Sequence, residues 1–272
     1  WGVNRKGALG LNTTNVHKSS PTRVPGTWSS AVLGGNDQFV SAMGVKTDGT
    51  LWTWGRDPFG KLGVPSLGPY PYDQELAKRY SSPIQVGTDT NWGKEMTQIT
   101  MGSRFSMAIK TDGTLWSWGR NESGLLGTNQ GYSGNRSSPT QVGTSTNWAQ
   151  ILAQGYGAYR VFGVKTDGSL WGWGETEYGA LGLNQPDSEK RSSPTQIPGT
   201  WKIGGCTNAG YRYTSWVKDD GTLWAWGYNA NGQLGQNNTT TQSSPVQIGA
   251  GAKWLGATGG TANSVSGAWG AK

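Results

Sequence analysis

Short runs of strand-forming residues alternate with clusters of Gly, Pro, Ser, Thr and Asn along the whole chain, and no apolar run keeps a helical period over a useful length. The clearest alternation surrounds residues 110–119, Lys-Thr-Asp-Gly-Thr-Leu-Trp-Ser-Trp-Gly, a pattern that returns with small changes at 46–55, 165–174 and 218–227. Each Asp-Gly pair, led by Asp48, Asp112, Asp167 or Asp220, separates two strand-like runs. The pattern predicts a β-hairpin with a two-residue type I′ turn, because that turn needs positive φ at both central residues and Asp and Gly tolerate it best. After each turn two tryptophans lie two residues apart: Trp52 and Trp54, Trp116 and Trp118, Trp171 and Trp173, Trp224 and Trp226. A pleated strand turns such a pair to one face, and both rings are expected to be buried between adjacent sheets.

Taking each Trp-Gly as a boundary divides the 272 residues into five units, approximately 1–53, 54–117, 118–172, 173–225 and 226–272. Each begins with Gly-x-Leu-Gly, at 7–10, 60–63, 124–127, 179–182 and 232–235. A loop of variable length follows, then Ser-Ser-Pro and a short strand at 19–24, 81–86, 137–142, 192–197 and 243–248. Proline lacks an amide donor, so this strand belongs at the outer edge of its sheet. A single tryptophan comes next (Trp28, Trp92, Trp148, Trp201, Trp254), leading into a segment of small residues.

Four short strands per unit, repeated in five units, predict an all-β chain folded as a single β-propeller of four-stranded antiparallel blades across residues 1–272. A closed five-bladed ring is favoured over a part of a seven-bladed one. In the closed form the strand at 19–24 completes the sheet formed by 254–270, where a tighter Ser266-Gly267 turn replaces the missing Lys-Thr-Asp-Gly. The chain begins with Trp1 and not Met, so it is expected to be processed or to be a segment of something longer.

The order of motifs resembles the regulator of chromosome condensation repeat family, whose units carry an Asp-Gly hairpin, a following Trp-Gly and an Asn-x-x-Gly-x-Leu-Gly turn. That last element stands here at 4–10, 121–127 and 229–235. The resemblance covers essentially the whole chain and implies a propeller, without implying any one function. A light-sensing branch of the family carries a Gly-Trp-Arg-His-Thr element. The matching places here read Gly-Ser-Arg-Phe-Ser at 102–106 and Gly-Tyr-Arg-Tyr-Thr at 210–214, so light sensing is disfavoured.

Composition changes this picture little. A hydrophobic fraction of 33% looks low for a core, but 16 Trp and 45 Gly supply large buried rings and close backbone approach. The one cysteine, Cys206, reads as a small buried strand residue; with a single His17 beside it, the chain has no supply for a nucleophile–base pair or a His/Cys metal site. The repeated turn aspartates are explained by the turn. The Gly-x-Leu-Gly loops lack the lysine and helix of a phosphate loop. No cofactor and no enzymatic activity are expected. No apolar run is long enough to cross a membrane, and a net charge of +7 spread over 14% charged residues disfavours nucleic acid as the partner.

What differs between units points to function, since shared positions answer to a shared structural demand. Variation concentrates in the loops 11–18, 64–80, 128–136, 183–191 and 236–242. They carry Tyr70, Tyr72, Tyr80 and Tyr132, and basic residues recur at their ends: Lys18, Lys78, Arg79, Arg136, Lys190 and Arg191. These ten residues form the expected binding face, a basic crown for a protein or an anionic glycan surface. The lysines before the hairpin turns (Lys46, Lys110, Lys165, Lys218) need no reason beyond solubility. The repeat wording resembles bacterial and bacteriophage members of the family, so the expected role is attachment or decoration on a virion or cell surface, with other virion or cell-surface proteins as partners. The alternatives are an intracellular regulator, such as a guanine-nucleotide exchange factor for a small GTPase, and a protein inhibitor of an enzyme.

Overall fold

The Lys-Thr-Asp-Gly elements do form hairpin tips, but of a different kind from the turn expected. The computed structural model describes residues 1–35, 39–65, 78–154, 159–185, 189–209, 212–250 and 254. At the first tip Gly49 N–H donates to Lys46 O at 2.9 Å and Lys46 N–H donates to Thr50 O at 3.0 Å. The loop is therefore three residues long, and only its glycine, at φ +83°, is left-handed. Asp48 keeps negative φ because its carboxylate has other work: Oδ1 accepts Thr50 N–H at 3.0 Å and Thr50 Oγ1–H at 2.6 Å. Thr50 Oγ1 in turn accepts the indole N–H of Trp52 at 2.8 Å. The same Asp–hydroxyl–Trp relay recurs through Thr114 to Trp116, Ser169 to Trp171 and Thr222 to Trp224.

Around these hairpins the chain builds antiparallel four-stranded blades of a β-propeller, in two compact units. One unit comprises Trp1–Glu122 and Tyr132–Thr146, the other Ser123–Gly131 and Asn147–Lys272. In the first, β1 (Trp28–Gly34), β2 (Ser41–Lys46), β3 (Leu51–Asp57) and β4 (Lys78–Gln85) form one blade, and β5 (Ile99–Met101), β6 (Phe105–Ile109), β7 (Leu115–Gly119) and β8 (Arg136–Gln141) form the next. In the second unit, β9 (Trp148–Gln154), β10 (Arg160–Lys165) and β11 (Ser169–Glu175) are followed by β12 (Lys190–Ala209). The first half of β12 closes that blade, and its second half opens another with β13 (Tyr213–Lys218), β14 (Leu223–Gly227) and β15 (Gln242–Ile248). The Ser-Ser-Pro strands are the outer strands, as proline requires.

The expected strand at 19–24 does not form: Lys18 makes an isolated bridge to Gly2, and the mostly exposed residues after it leave their backbone groups to water. Its expected partner, 254–270, lies outside the described residues apart from Trp254, whose N–H donates to Gly221 O at 2.8 Å. The Ser266-Gly267 turn lies outside them as well.

The tryptophan pair is split in role. The second ring is buried in each case (Trp54, Trp118, Trp173, Trp226), whereas the first (Trp52, Trp116, Trp171, Trp224) is only half-buried, which corrects the expectation that both are enclosed. The second ring joins neighbouring blades. In the first unit, Trp54 donates to Ala8 O and Trp118 to Lys61 O, both at 2.9 Å. In the second, Trp173 donates to Leu125 O at 2.8 Å and Trp226 to Ala180 O at 2.9 Å. Every acceptor is the x of a Gly-x-Leu-Gly. The closing glycine of that turn has to lack a side chain, since a Cβ on Gly10, Gly63 or Gly182 would lie 2.9, 2.7 or 2.9 Å from the indole nitrogen. Burying one indole removes about 150–250 Å² from water, worth ~4–6 kcal/mol at ~25 cal/mol/Å².

The first ring packs edge-on against the single tryptophan of its blade, with centroids 6.4 Å apart for Trp92 and Trp116. The blade's lysine lies over both: Lys110 Nζ is 5.0 Å from the Trp92 ring and 4.2 Å from the Trp116 ring. Lys46, Lys165 and Lys218 repeat the arrangement. Solubility is therefore not a sufficient account of these lysines, because their ammonium groups cover tryptophan faces, a contact worth about 0.5–2 kcal/mol. Cys206 is buried in the core with Trp201, Trp216 and Trp226.

Two outcomes are expected. Trp118→Ala should cost about 3–5 kcal/mol in denaturant unfolding, and Trp118→Phe about 1–2 kcal/mol, because it loses ring volume and one hydrogen bond while the Lys61 carbonyl keeps Ser106 Oγ–H at 2.7 Å. Asp48, Asp112 and Asp167 are held below their ordinary 3.8, first by the side-chain hydroxyl of Thr50, Thr114 or Ser169 and then by its backbone N–H. A depressed carboxylate stabilises fully above its unfolded value and loses that contribution as pH falls through the folded one. Replacing the three by Asn should flatten the fall of melting temperature below about pH 4, which a thermal melt series would read.

Candidate functional site

An antiparallel meander places the turn before its second strand and the loop after its third at the same end, opposite the Asp-Gly tips. The variable loops and the β1–β2, β5–β6, β9–β10 and β12–β13 turns therefore share an end within each unit. The residue after Trp-Gly ties the two together: Arg56 N–H donates to Val40 O at 3.2 Å, Arg120 to Arg104 O at 2.9 Å, Glu175 to Tyr159 O at 2.9 Å and Tyr228 to Arg212 O at 2.8 Å.

Arginines and aromatics cluster there. In the first unit Phe39 is flanked by Arg56 at 5.5 Å and Arg104 at 5.4 Å, and Phe59 is covered by Arg120 at 4.6 Å. Glu122 joins the cations, accepting from Arg104 Nη1 at 2.8 Å and lying 3.2 Å from Arg120 Nε. In the second unit Arg212 lies 4.7 Å from the Tyr178 ring and 3.8 Å from a Glu177 oxygen, and Tyr178 meets Tyr228 edge-on at 4.9 Å. Phe59 and Tyr178 are left-handed, at φ +62° and +57°. That conformation costs a non-glycine residue on the order of 1 kcal/mol or more. Lys6 and Ser123 adopt it at the same turn position, so the turn imposes it and the side chain there is free to vary.

Beneath this face lies a buried charge pair. Asp57 stands where Asn4 and Asn229 stand in other repeats, and does their job: Oδ1 accepts Leu62 N–H at 2.9 Å, as the asparagines accept from Leu9 and Leu234. Lys61 stands where Ala8 and Ala180 stand. Its buried ammonium, with three N–H donors, sits among four carbonyls, Phe39 O at 2.7 Å, Gly102 O and Ser103 O at 3.1 Å and Gly34 O at 3.3 Å, drawing together the turns of two blades. Burial raises the Asp57 carboxyl to about 6 and lowers Lys61 to about 7, each held back by the other's charge.

The residues expected to form a basic crown fall in several settings. Tyr70 and Tyr72 lie outside the described residues. Lys78 and Arg79 are exposed on β4, opposite Asp57 and Arg56 in the ladder, while Tyr80 packs against the core. Tyr132 is exposed; Arg136 lies opposite Gly119 and reaches Gly134 O and Asn135 O at 3.5 Å. Lys18 sits in the bridge with Gly2. In the second unit Lys190 lies 3.8 Å from Glu175 and 3.0 Å from Ser123 Oγ, and Arg191 2.7 Å from Glu189. Much of the basic character is thus matched by carboxylates. Sequence reasoning passed over Arg56, Arg104, Arg120, Arg212, Phe59, Tyr178, Glu122 and Glu177. The available signal was position, since they follow Trp-Gly, precede Gly-x-Leu-Gly or lie in the turn before a blade's second hairpin strand.

Comparison with known proteins agrees with this architecture. The family model described as Regulator of chromosome condensation (RCC1) repeat matches residues 48–109, 112–155, 167–203 and 220–266. The ultraviolet-B receptor UVR8 of Arabidopsis thaliana is 26% identical over 254 residues, covering 91% of this chain and 52% of the receptor. Among solved structures, human WBSCR16 superposes with a TM-score of 0.65 at 20% identity, covering 93% of this chain and 62% of its own. Prp20p of Saccharomyces cerevisiae, studied for its binding to Gsp1p and histones, gives 0.65 at 18%, covering 92% and 56%. The chain thus spans about half the length of the receptor, and the structural likenesses speak to fold alone.

The buried pair yields a test. Asp57→Asn with Lys61→Ala gives this repeat the residues of the first repeat, Asn4 and Ala8. The double variant should cost less than the sum of the singles by about 1–3 kcal/mol in chemical denaturation, because each single change strands the other's charge.

Proposed function

The chain belongs to the regulator of chromosome condensation (RCC1) repeat family, and from that membership we propose that it is a non-enzymatic binding module whose arginine–aromatic loop end receives a protein partner. The observation that carries this reading is the pairing of charge there. Arg104, Arg120, Arg191 and Arg212 each lie near a glutamate, so the face offers both signs with aromatic rings between them. Mixed charge with aromatic and arginine anchors suits a folded protein surface, where complementary charges set register, better than it suits a uniform polyanion. Binding of Prp20p to other proteins is a parallel within the same fold, not a transfer of partner.

Within that reading we place the protein outside the cell or on a virion, as an attachment or decoration module. The support is the sequence itself: uniform repeats that carry no catalytic constellation, and loops that differ from unit to unit.

Cross-linking with mass spectrometry, on chain added to intact particles or cells from its source, tests the reading. Links from Lys78 and Lys190, at the loop end, are expected, and Lys78→Glu with Arg79→Glu should slow association several-fold while the melting temperature stays nearly unchanged. Links confined to Lys94 and Lys202, or association untouched by the double variant, would overturn the choice of face.

A further inference from the structure

A second feature lies in the second unit, between the outer strand of one blade and the strands of the next. It is a groove of about 400 Å³, within the range of small-molecule sites. Its wall includes half-buried Trp224, with Lys218 Nζ 3.7 Å from that ring. Lys218 differs from Lys110 in one respect that matters. Lys110 is neutralised by Asp89 at 2.8 Å, whereas no carboxylate oxygen lies within 4.0 Å of Lys218 Nζ among the described residues. Room for its side chain exists because residue 199 is glycine: a Cβ there would lie 3.1 Å from Lys218 Cε. Arg191 adds a second cation, already paired through one nitrogen with Glu189 at 2.7 Å, and the wall itself carries the amides of Asn184, Gln185 and Gln196 but no acidic side chain among the described residues.

We propose that this groove binds an acidic oligosaccharide, with the sugar carboxylate at Lys218 and Arg191, ring C–H groups against Trp224 and hydroxyls on the amides. Charge complementarity selects an anion, since Asp220 acts on Lys218 only from beyond ion-pair distance and an ammonium beside an apolar ring gains from a ligand that brings a carboxylate into contact. The aromatic platform and amides, which both donate and accept, select a polyhydroxylated ring over a bare anion. An extended acidic peptide is the poorer fit, because it would have to pair with the outer strands, and Pro198 and Pro245 at the groove present no N–H for that ladder. This site borders the proposed protein-binding face: it takes in Arg191 and the first residues of the 183–191 loop, Leu183, Asn184 and Gln185, but its platform, Lys218 and Trp224, lies outside that face.

The test is titration calorimetry and saturation-transfer NMR on the full chain with tetragalacturonate, a neutral galactose tetramer and a hexaglutamate peptide. Tetragalacturonate should bind, and the neutral tetramer should bind at least about tenfold more weakly. Lys218→Gln should weaken binding by about tenfold, the loss of one charge-assisted hydrogen bond, at an unchanged melting temperature. Lys46→Gln is the control, since Lys46 has the same tryptophan contacts in the other unit, and should leave binding intact. Trp224→Leu should remove the saturation transfer to the ring protons of the sugar; if it unfolds the chain, Lys218→Gln alone decides. No binding of tetragalacturonate, equal binding of the neutral tetramer, tighter binding of the peptide, or binding indifferent to Lys218→Gln would each overturn the proposal.

Discussion

The hydrogen bond from the second tryptophan of each pair to the carbonyl of the preceding Gly-x-Leu-Gly is the constraint on which the blades depend. It fixes a large ring and a neighbouring turn in one geometry, because the indole N–H must find an acceptor once buried and the turn must expose a carbonyl that its own backbone does not use. The closing glycine then has to be bare. Three sequence features that look independent, the Trp-Gly, the Gly-x-Leu-Gly and the period between them, are consequences of one contact. Wherever the acceptor residue x varies, as Ala8, Lys61, Leu125 and Ala180 do, the contact survives, since it uses only the main chain.

At the opposite end of the strands a second device recurs. The Asp carboxylate organises the tip, the following hydroxyl passes that order to the first tryptophan, and the lysine covers the ring. The half-exposure of this ring is explained by its place: it lies at the flank of the sheet, where a cation on a flexible stem shields it without a full layer of packing. Such a lid is adjustable, and Lys110 and Lys218 hold it in different surroundings. Beside Asp89 the cation is held in a contact ion pair; beside Gly199 and a groove it has none among the described residues, and Asp220 acts on it only from a distance.

Most of the fold was legible in the sequence because it rests on local chemistry that repeats. Glycine after aspartate marks a tip, proline marks an edge strand and tryptophans two apart mark a face. The turn type was misread because Asp48 was credited with tolerance of positive φ when its carboxylate is occupied by Thr50. The clue was present in the hydroxyl that follows every Asp-Gly, at Thr50, Thr114, Ser169 and Thr222. The lysine lids were missed since proximity across a hairpin cannot be judged from a residue's place beside a turn. The binding face was legible only as a location. Lys190 and Arg191 were visible as cations, and Glu189, two residues before Arg191, was a partner the sequence offered, but Glu175 comes into range of Lys190 only when β11 and β12 pair, and that is a tertiary fact.

Variation is confined to the loop end for a reason that the anchoring of the loops makes plain. Three of the variable loops leave Gly-x-Leu-Gly and within two residues are clamped to the neighbouring blade: Asn12 N–H donates to Ser81 O at 2.7 Å, and Asn129 and Asn184 donate to Ser192 O and Ser243 O at 2.8 Å, whereas Pro65 in the longest loop has no N–H for such a clamp. The chain beyond the clamp must only return to start its own outer strand. For such a closed segment the entropy of closure grows with the logarithm of its length, so extending a loop from that of 236–242 to that of 64–80, more than a doubling, costs on the order of 1 kcal/mol. One tryptophan contact in the blade below outweighs that several-fold. Length and composition at this end can therefore change with little effect on the fold, whereas a comparable change at the Asp-Gly tips would break the relay that sets the tryptophans. The buried Asp57 and Lys61 mark the limit of that freedom. There the variation reached beneath the surface, and the two substitutions are tolerable together because each supplies the charge that the other's burial demands.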